Sequence, residues 1–408
     1  MEVQKFDIVI IGAGPAGCAC AYMLSGKGLK VALIEKDCFP RDKICGDALS
    51  ADVVNQFFRM DAALAEKFIQ TNPKQASNGV RFFAPNAQFV DVDFTNPKHK
   101  EAAGFVMKRL EFDHFFAEQV KKRSDISFFE NETVKDVKTE DDHVLIATQN
   151  HHFTTKMVVG ADGANSIVNR KLANQQIDKK HHSAGLRQYY ENVEGMTENG
   201  HIELHFYKEI LPGYFWIFPL PEGKANVGLG MLSSTVSKKK INLKKEFETL
   251  LTKHPNIKDR FKNATPLENI KGFSLPLGSK KKKLSGAHFI LLGDAASLID
   301  PFTGEGIGNA IRSGRIAATH LESAFQKKTF DAQFNKSYDT KIYKATWQEL
   351  RVSASLQKLL RFPWLFNFVI KKARKNKSLQ LLLTSMLNDV SIKKELLKPA
   401  FYFKLLFS

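Results

Sequence analysis

Two runs of residues in this chain have the types and spacing to hold a phosphorylated cofactor. The first is Gly12-Ala13-Gly14-Pro15-Ala16-Gly17, a G-x-G-x-x-G hexad between an apolar run and a small-residue run. The first glycine of such a hexad permits a tight turn. The second lets a pyrophosphate approach the backbone, and the third lets helix and strand pack closely. A helix opening at Pro15 turns its free N–H groups and positive dipole end toward the phosphates. Glu35, 23 residues after Gly12, is placed to accept hydrogen bonds from both ribose hydroxyls. An acid there disfavours a 2′-phosphate.

The second run is Leu292-Gly293-Asp294-Ala295-Ala296, followed by Gly304-Glu305-Gly306-Ile307-Gly308-Asn309. Asp294 can accept from a polyol hydroxyl, and the N–H groups of Gly306 to Asn309 can face the electron-rich edge of a flavin. Read alone, Asp294 is more readily an N-cap and the glycines a loop. Joined to the N-terminal hexad, the two runs point to FAD rather than NAD. The chain has no second strand–G-x-G-x-x-G–helix unit, so NADPH or NADH would bind only transiently.

These residues need a scaffold. Phe6 to Ile11 and Val31 to Glu35 read as buried parallel strands flanking a helix over Pro15 to Ser25, one βαβ unit. Met157 to Gly160 and Phe289 to Leu292 are further short strands, each leading into glycine with an acid close behind. Phe82 to Phe94 and Ser183 to Met231 read as an antiparallel sheet, with a hairpin turn over Pro221 to Asn226. Tyr214, Trp216 and Phe218 fall on one face of a strand there. From about Phe330 helical spacing dominates. The expected class is α/β (α+β overall). A Rossmann-type FAD-binding domain over 1–75, 100–182 and 268–330 is interrupted by a β-rich substrate domain over 76–99 and 183–267. A helical, basic region follows over 331–408.

With these motifs in view, residues 4 to 325 resemble the p-hydroxybenzoate-hydroxylase-like FAD superfamily. The resemblance rests on the hexad, on Gly160-Ala161-Asp162-Gly163 leading to Ser166, on Gly293 to Ala296, and on Arg109 to Asp113 as an R-x-x-F-D segment. Within it the chain is similar to the geranylgeranyl reductases. Pro40-Arg41-Asp42-Lys43-Ile44-Cys45-Gly46, Tyr214 to Pro219 and Asp300 to Ile307 carry that likeness. Asp47 stands where that branch usually has glycine, and Leu220 where it often has lysine. The resemblance and the two runs together imply cofactor contacts at Gly12, Gly14, Pro15, Ala16, Gly17, Glu35, Lys36, Arg41, Cys45, Gly46, Arg109, Val134, Asp162, Gly163, Asp294, Gly304, Gly306, Ile307, Gly308 and Asn309. They imply substrate contacts at Tyr214, Trp216, Phe218 and Pro219. Cys45 is open to two readings, a catalytic proton donor or a small residue in a flavin-loop turn. An aromatic wall suits an apolar chain, whose burial is worth ~0.8 kcal/mol per CH₂; alternating aromatics are also the ordinary core of a sheet.

Composition narrows the partners. The formal charge is +17 over 408 residues, which favours acidic partners, but no nucleic-acid module is present. The cysteines are Cys18, Cys20, Cys38 and Cys45, without spacing for zinc or an iron–sulfur cluster, so no metal is expected. No apolar stretch reaches the ~18–20 residues of a bilayer span. A cytoplasmic protein is expected, with peripheral contact at the inner membrane face an open reading. Residues 341–408 hold 14 Lys/Arg against 3 Asp/Glu, interleaved with apolar blocks such as Leu359 to Ile370. Such a segment lies on an anionic bilayer or caps the catalytic domain. The expected activity is FAD-dependent reduction of carbon–carbon double bonds in an isoprenoid lipid, with NADPH, NADH or ferredoxin as donor. The alternatives are a monooxygenase or halogenase on a smaller molecule, and an electron-transfer-flavoprotein type of shuttle.

Overall fold

A computed structural model describes residues 3–93, 104–376 and 379–380 of the chain. Its first sheet forms because five strands carry or end in apolar runs that must be covered on both faces. β1 (Val3–Ile11) lies at the centre, with β2 (Val31–Ile34) and Ile126–Phe129 on one side and His152–Gly160 and Phe289–Leu291 on the other. All four pairings along this path are parallel. The register sets Ile11 against both Ile34 and Gly160, and Gly160 against Leu291. The carboxyl ends of four strands therefore finish at one edge, where open α/β sheets place ligands at the switch point. Gly12, Glu35, Asp162 and Asp294 follow within three residues of those ends.

α1 (Pro15–Leu24) packs against the long helix Ile307–Lys327. Close approach is made by small residues: a Cβ on Gly314 would lie 2.4 Å from the Ala16 carbonyl oxygen. Gly26 and Gly28, both at positive φ, turn the chain out of α1.

The second sheet runs Thr265–Pro266, His182–Glu191, Lys224–Leu232, Gly213–Pro219, Ile202–His205, Gly79–Phe83 and Phe89–Asp93. Ile202–His205 pairs in parallel with Gly79–Phe83, so this sheet is mixed rather than wholly antiparallel. The expected hairpin turn is present at Pro221–Gly223, with Glu222 and Gly223 at positive φ. One expectation is corrected. Lys271–Pro276, assigned from the sequence to the nucleotide-binding part, pairs with His182–Glu191 and belongs to this sheet. Its partner is some ninety residues away, so local pattern could not place it.

Both faces of Gly213–Pro219 are covered. Phe215 and Ile217 pack toward the helix Leu243–Lys253, in one cluster with Phe247 and Leu250. Tyr214, Trp216 and Phe218 join a different cluster, with Phe206 and Leu356. Beyond the first sheet, the helix Ala332–Leu359 ends before Pro363, which opens the helix Pro363–Ala373 as its first residue. The later basic and apolar blocks, beyond Gln380, lie outside the described residues. No helix among the described residues is long and apolar enough to cross a membrane.

Candidate active site

A cavity of about 1370 Å³ runs from the switch point of the first sheet to the face of the second. It exceeds the ~300–1,000 Å³ of ordinary small-molecule pockets, room for a dinucleotide and a second molecule together. Whether FAD fits is decided by the glycines. Gly12 has φ +98°, and a Cβ there would sit 2.5 Å from the Ala161 carbonyl oxygen; on Gly17 it would sit 1.9 Å from that of Gly12. Those two hold the turn against the strand end. A Cβ on Gly14 would meet nothing within 4 Å: its backbone opens onto the cavity, as an approaching pyrophosphate requires. Ala13 N–H donates to Glu35 Oε2 at 3.0 Å, which fixes the carboxylate beside the turn. Among the described residues Glu35 Oε1 receives only the Asp37 N–H, at 3.4 Å, and so retains capacity for a ribose hydroxyl. The residues present fit an extended FAD.

Glu35 also belongs to a buried charge network. Arg41 lies 3.3 Å from Glu35 and 2.5 Å from Asp113. Arg109 grips Asp113 through two bonds of 2.7 Å. Burial opposes charge on Asp113, but Arg109 and Arg41 outweigh it and hold the carboxyl below its usual range. Arg109, expected beside the cofactor, thus reaches the cavity wall with its guanidinium committed to Asp113. The sequence marked Asp113 only as a pattern letter; its role as hub depends on the helix Arg109–Lys121 bringing positions four apart onto one face.

Asp294 lines the cavity 3.2 Å from Lys43, and its carboxylate receives no backbone N–H bond among the described residues, so the N-cap reading is not realised. Asp162 accepts from Ile167 N–H at 2.6 Å, its other oxygen is buried without a hydrogen-bond partner among the described residues, and burial raises its pKa. Pro15, Ala16, Lys36, Val134, Gly163, Gly304, Gly306, Ile307 and Asn309 all line the same cavity. Three expected contacts do not. Gly17 lies beneath the turn. Gly308 packs against Asp52 and Glu305, its N–H donating to Glu305 Oε1 at 3.3 Å. Pro219, odd in the strand's alternation, falls on the face away from the cavity.

The aromatic wall has a specific construction. Trp216 faces Gly228 across the strand pair, and a Cβ on Gly228 would lie 2.0 Å from the indole. The missing side chain lets the ring lie flat. Trp216 Nε1–H donates to Asn226 Oδ1 at 2.9 Å. Asn226 Nδ2 donates to the Cys45 carbonyl oxygen and to Asp47 Oδ2, each at 2.8 Å. Asp47 receives the Tyr189 hydroxyl at 2.7 Å as well, and the Arg109 N–H at 3.3 Å. Its φ of +67° explains why glycine suits this position; aspartate tolerates it better than most residues. Burial pushes the Asp47 carboxyl up to about 6, against the pull of Tyr189, Arg187 and Asn226. Asp47 and Asn226 thereby tie the Cys45–Gly46 loop to the indole. Sequence reasoning noticed Asp47 as an anomaly and missed Asn226.

From the same wall, Tyr214 donates its hydroxyl to the Thr303 carbonyl oxygen. Glu305 Oε1 receives the Ser50 hydroxyl at 2.8 Å, and burial followed by the nearby Asp52 charge raises its carboxyl to about 7. The motif contained Glu305, but nothing local revealed its pairing with Asp52.

Comparison with known proteins now decides the family. The FAD binding domain family matches residues 5–353. The digeranylgeranylglycerophospholipid reductase of Methanococcus vannielii is 31% identical over 366 residues, covering 87% of this chain and 88% of the relative. The chain belongs to the geranylgeranyl reductase family of FAD-dependent oxidoreductases. A menaquinone reductase of Mycobacterium tuberculosis is 28% identical over 325 residues, 78% of this chain and 76% of that protein. Among solved structures, a geranylgeranyl bacteriochlorophyll reductase-like protein of Thermoplasma acidophilum superimposes with a TM-score of 0.79 at 23% identity. It covers 92% of this chain and 93% of its own, a likeness of fold. This family member is therefore an FAD-dependent oxidoreductase enzyme.

Proposed function

We propose that this enzyme reduces carbon–carbon double bonds of an isoprenoid lipid. The observation that carries the reading is the single cavity joining the dinucleotide cradle at Gly12 to Gly14 with the aromatic face of Tyr214, Trp216 and Phe218. Such a reduction adds a hydride to one carbon and a proton to the other. FAD, once bound and reduced, supplies the hydride. The chain's own residues hold an apolar chain against that site and exclude water from it. Two groups lining the cavity can carry the proton, the Cys45 thiol and the Glu305 carboxyl, the latter half ionised near neutral pH.

The electron donor in this proposal is NADPH or NADH docking transiently, or a reduced ferredoxin. The lipid enters beside the end of the helix Ala332–Leu359. Gln357 and Leu360 line the cavity there, and Phe362 and Trp364 stand 51% and 67% exposed next to Arg361. Aromatic and basic residues together suit the surface of an anionic membrane.

Anaerobic reduction of the yellow holoenzyme, then addition of geranylgeranyl lipids or menaquinone, tests the reading. Flavin reoxidation with saturated product in the extract is expected. Stable reduced flavin with every polyprenyl substrate refutes it, and substrate-dependent oxygen uptake selects a monooxygenase or halogenase instead.

A further inference from the structure

One arm of the cavity has a composition that the reduction of an apolar chain does not require. α2 (Ala51–Met60) lies against the helix Ile307–Lys327, and the cavity wall there includes Asp52, Asn55, Arg59 and Arg312. On α2, positions 52, 55 and 59 share one face; on the partner helix, 308, 312 and 315 share another. Arg312 is the only one of the cluster's three arginines with an ion pair, 2.7 Å from Asp52, among the described residues. Its other nitrogen bonds the Asn309 side chain. Arg59 is exposed and has no ion pair among the described residues. Arg315 is partly buried, and its Nε is buried without a hydrogen-bond partner among the described residues.

Arg315 lies within electrostatic reach of both Arg59 and Arg312. Burial and then the charges of Arg59 and Arg312 lower the Arg315 pKa, and Asp52 only partly offsets them. Of the acids nearby, Glu305 is held up to about 7 and is half protonated near neutrality. Gathered cations with an unsatisfied buried donor are stabilised by an anion that brings several acceptor oxygens.

We propose that Arg59 and Arg312, which line the cavity, bind a phosphate group of a molecule that occupies it, with Arg315 adding its charge from just behind the lining. This rests on the reductase reading for its leading source, the phosphorylated head of the isoprenoid lipid, whose tail would lie along the aromatic wall. The other source of the same chemistry is a phosphate of the nicotinamide donor. The pyrophosphate of FAD itself is assigned to Gly14 and the start of α1, on a different helix.

FAD-loaded wild-type enzyme and the variants Arg59→Glu and Arg315→Gln are titrated with geranylgeranyl phosphate and with geranylgeraniol. Binding is followed by the flavin difference spectrum, without turnover. Each variant is expected to retain FAD and to weaken phosphate binding about tenfold or more, with the alcohol changed less than about twofold. Wild-type affinity for the phosphate falls with added salt, and that slope flattens in the variants. Arg59→Lys restores most of the charge and part of the affinity. If the lipid is unaffected but KM rises for NADPH and not for NADH, the site stands and the donor supplies the phosphate. Equal losses for phosphate and alcohol, no loss for any ligand, or loss of FAD from either variant overturns it. If neither lipid reoxidises the reduced flavin yet the discrimination persists, the reductase reading fails and the anion site remains.

Discussion

Replacing Asp47 by asparagine tests the buried link between the cofactor loop and the aromatic wall. Asp47 has no solvent exposure and ionises at about 6 because burial disfavours its charge. In an unfolded chain aspartate ionises near ~3.9. The folded value is the raised one, so the fold favours the protonated acid. That contribution is fully present below about pH 4 and is lost as pH rises through about 6, amounting to about 3 kcal/mol at the alkaline end. Asparagine cannot ionise and keeps an oxygen for Tyr189 and Asn226. Its amide faces the Arg109 N–H, a loss that does not depend on pH. For 408 residues, an unfolding entropy of ~2.1 cal/mol/K per residue converts about 3 kcal/mol to roughly 3 °C. The assay is the melting midpoint of FAD-loaded wild type and Asp47→Asn from about pH 4 to about pH 7.5. Wild type is expected to lose about 3 °C relative to the variant across that range. Two midpoints that move in parallel would refute the reasoning, because Asp47 would then ionise as an ordinary carboxylate.

Other outcomes follow from contacts already described. Gly17→Ala places a Cβ 1.9 Å from the Gly12 carbonyl oxygen, so the purified protein should lack flavin absorbance; a yellow variant argues against the cradle. Gly228→Ala displaces the indole of Trp216, and should raise KM for polyprenyl substrate while leaving FAD content intact. Arg109→Ala leaves the buried Asp113 with Arg41 as its remaining cation among the described residues and is expected to cost up to about 3 kcal/mol, read as a lowered midpoint. Glu305→Gln should remove a proton-linked step near pH 7 from the pH profile of flavin reoxidation, if Glu305 delivers the proton; an unchanged profile assigns the proton to another group.

What the sequence determined by itself was local. The hexad, the apolar run before it and Glu35 behind it lie within one βαβ unit, where hydrophobic periodicity and glycine placement act over a few residues. The G-A-D-G and G-D-A-A runs were legible for the same reason, each ending a short buried strand. The alternation of Tyr214, Trp216 and Phe218 announced one face of a strand but not what it faced. Tertiary structure alone decided the rest. Pairing in register put Gly228 beneath Trp216 and Asn226 within reach of Cys45, some 180 residues earlier. It moved Lys271–Pro276 into the second sheet and turned Gly308 away from the cavity. Helix packing set Asp52 beside Glu305, and Arg59 near Arg315. Those relations arise from contacts between distant segments, whose geometry depends on strand register and helix packing, and neither is written in any local run of residues.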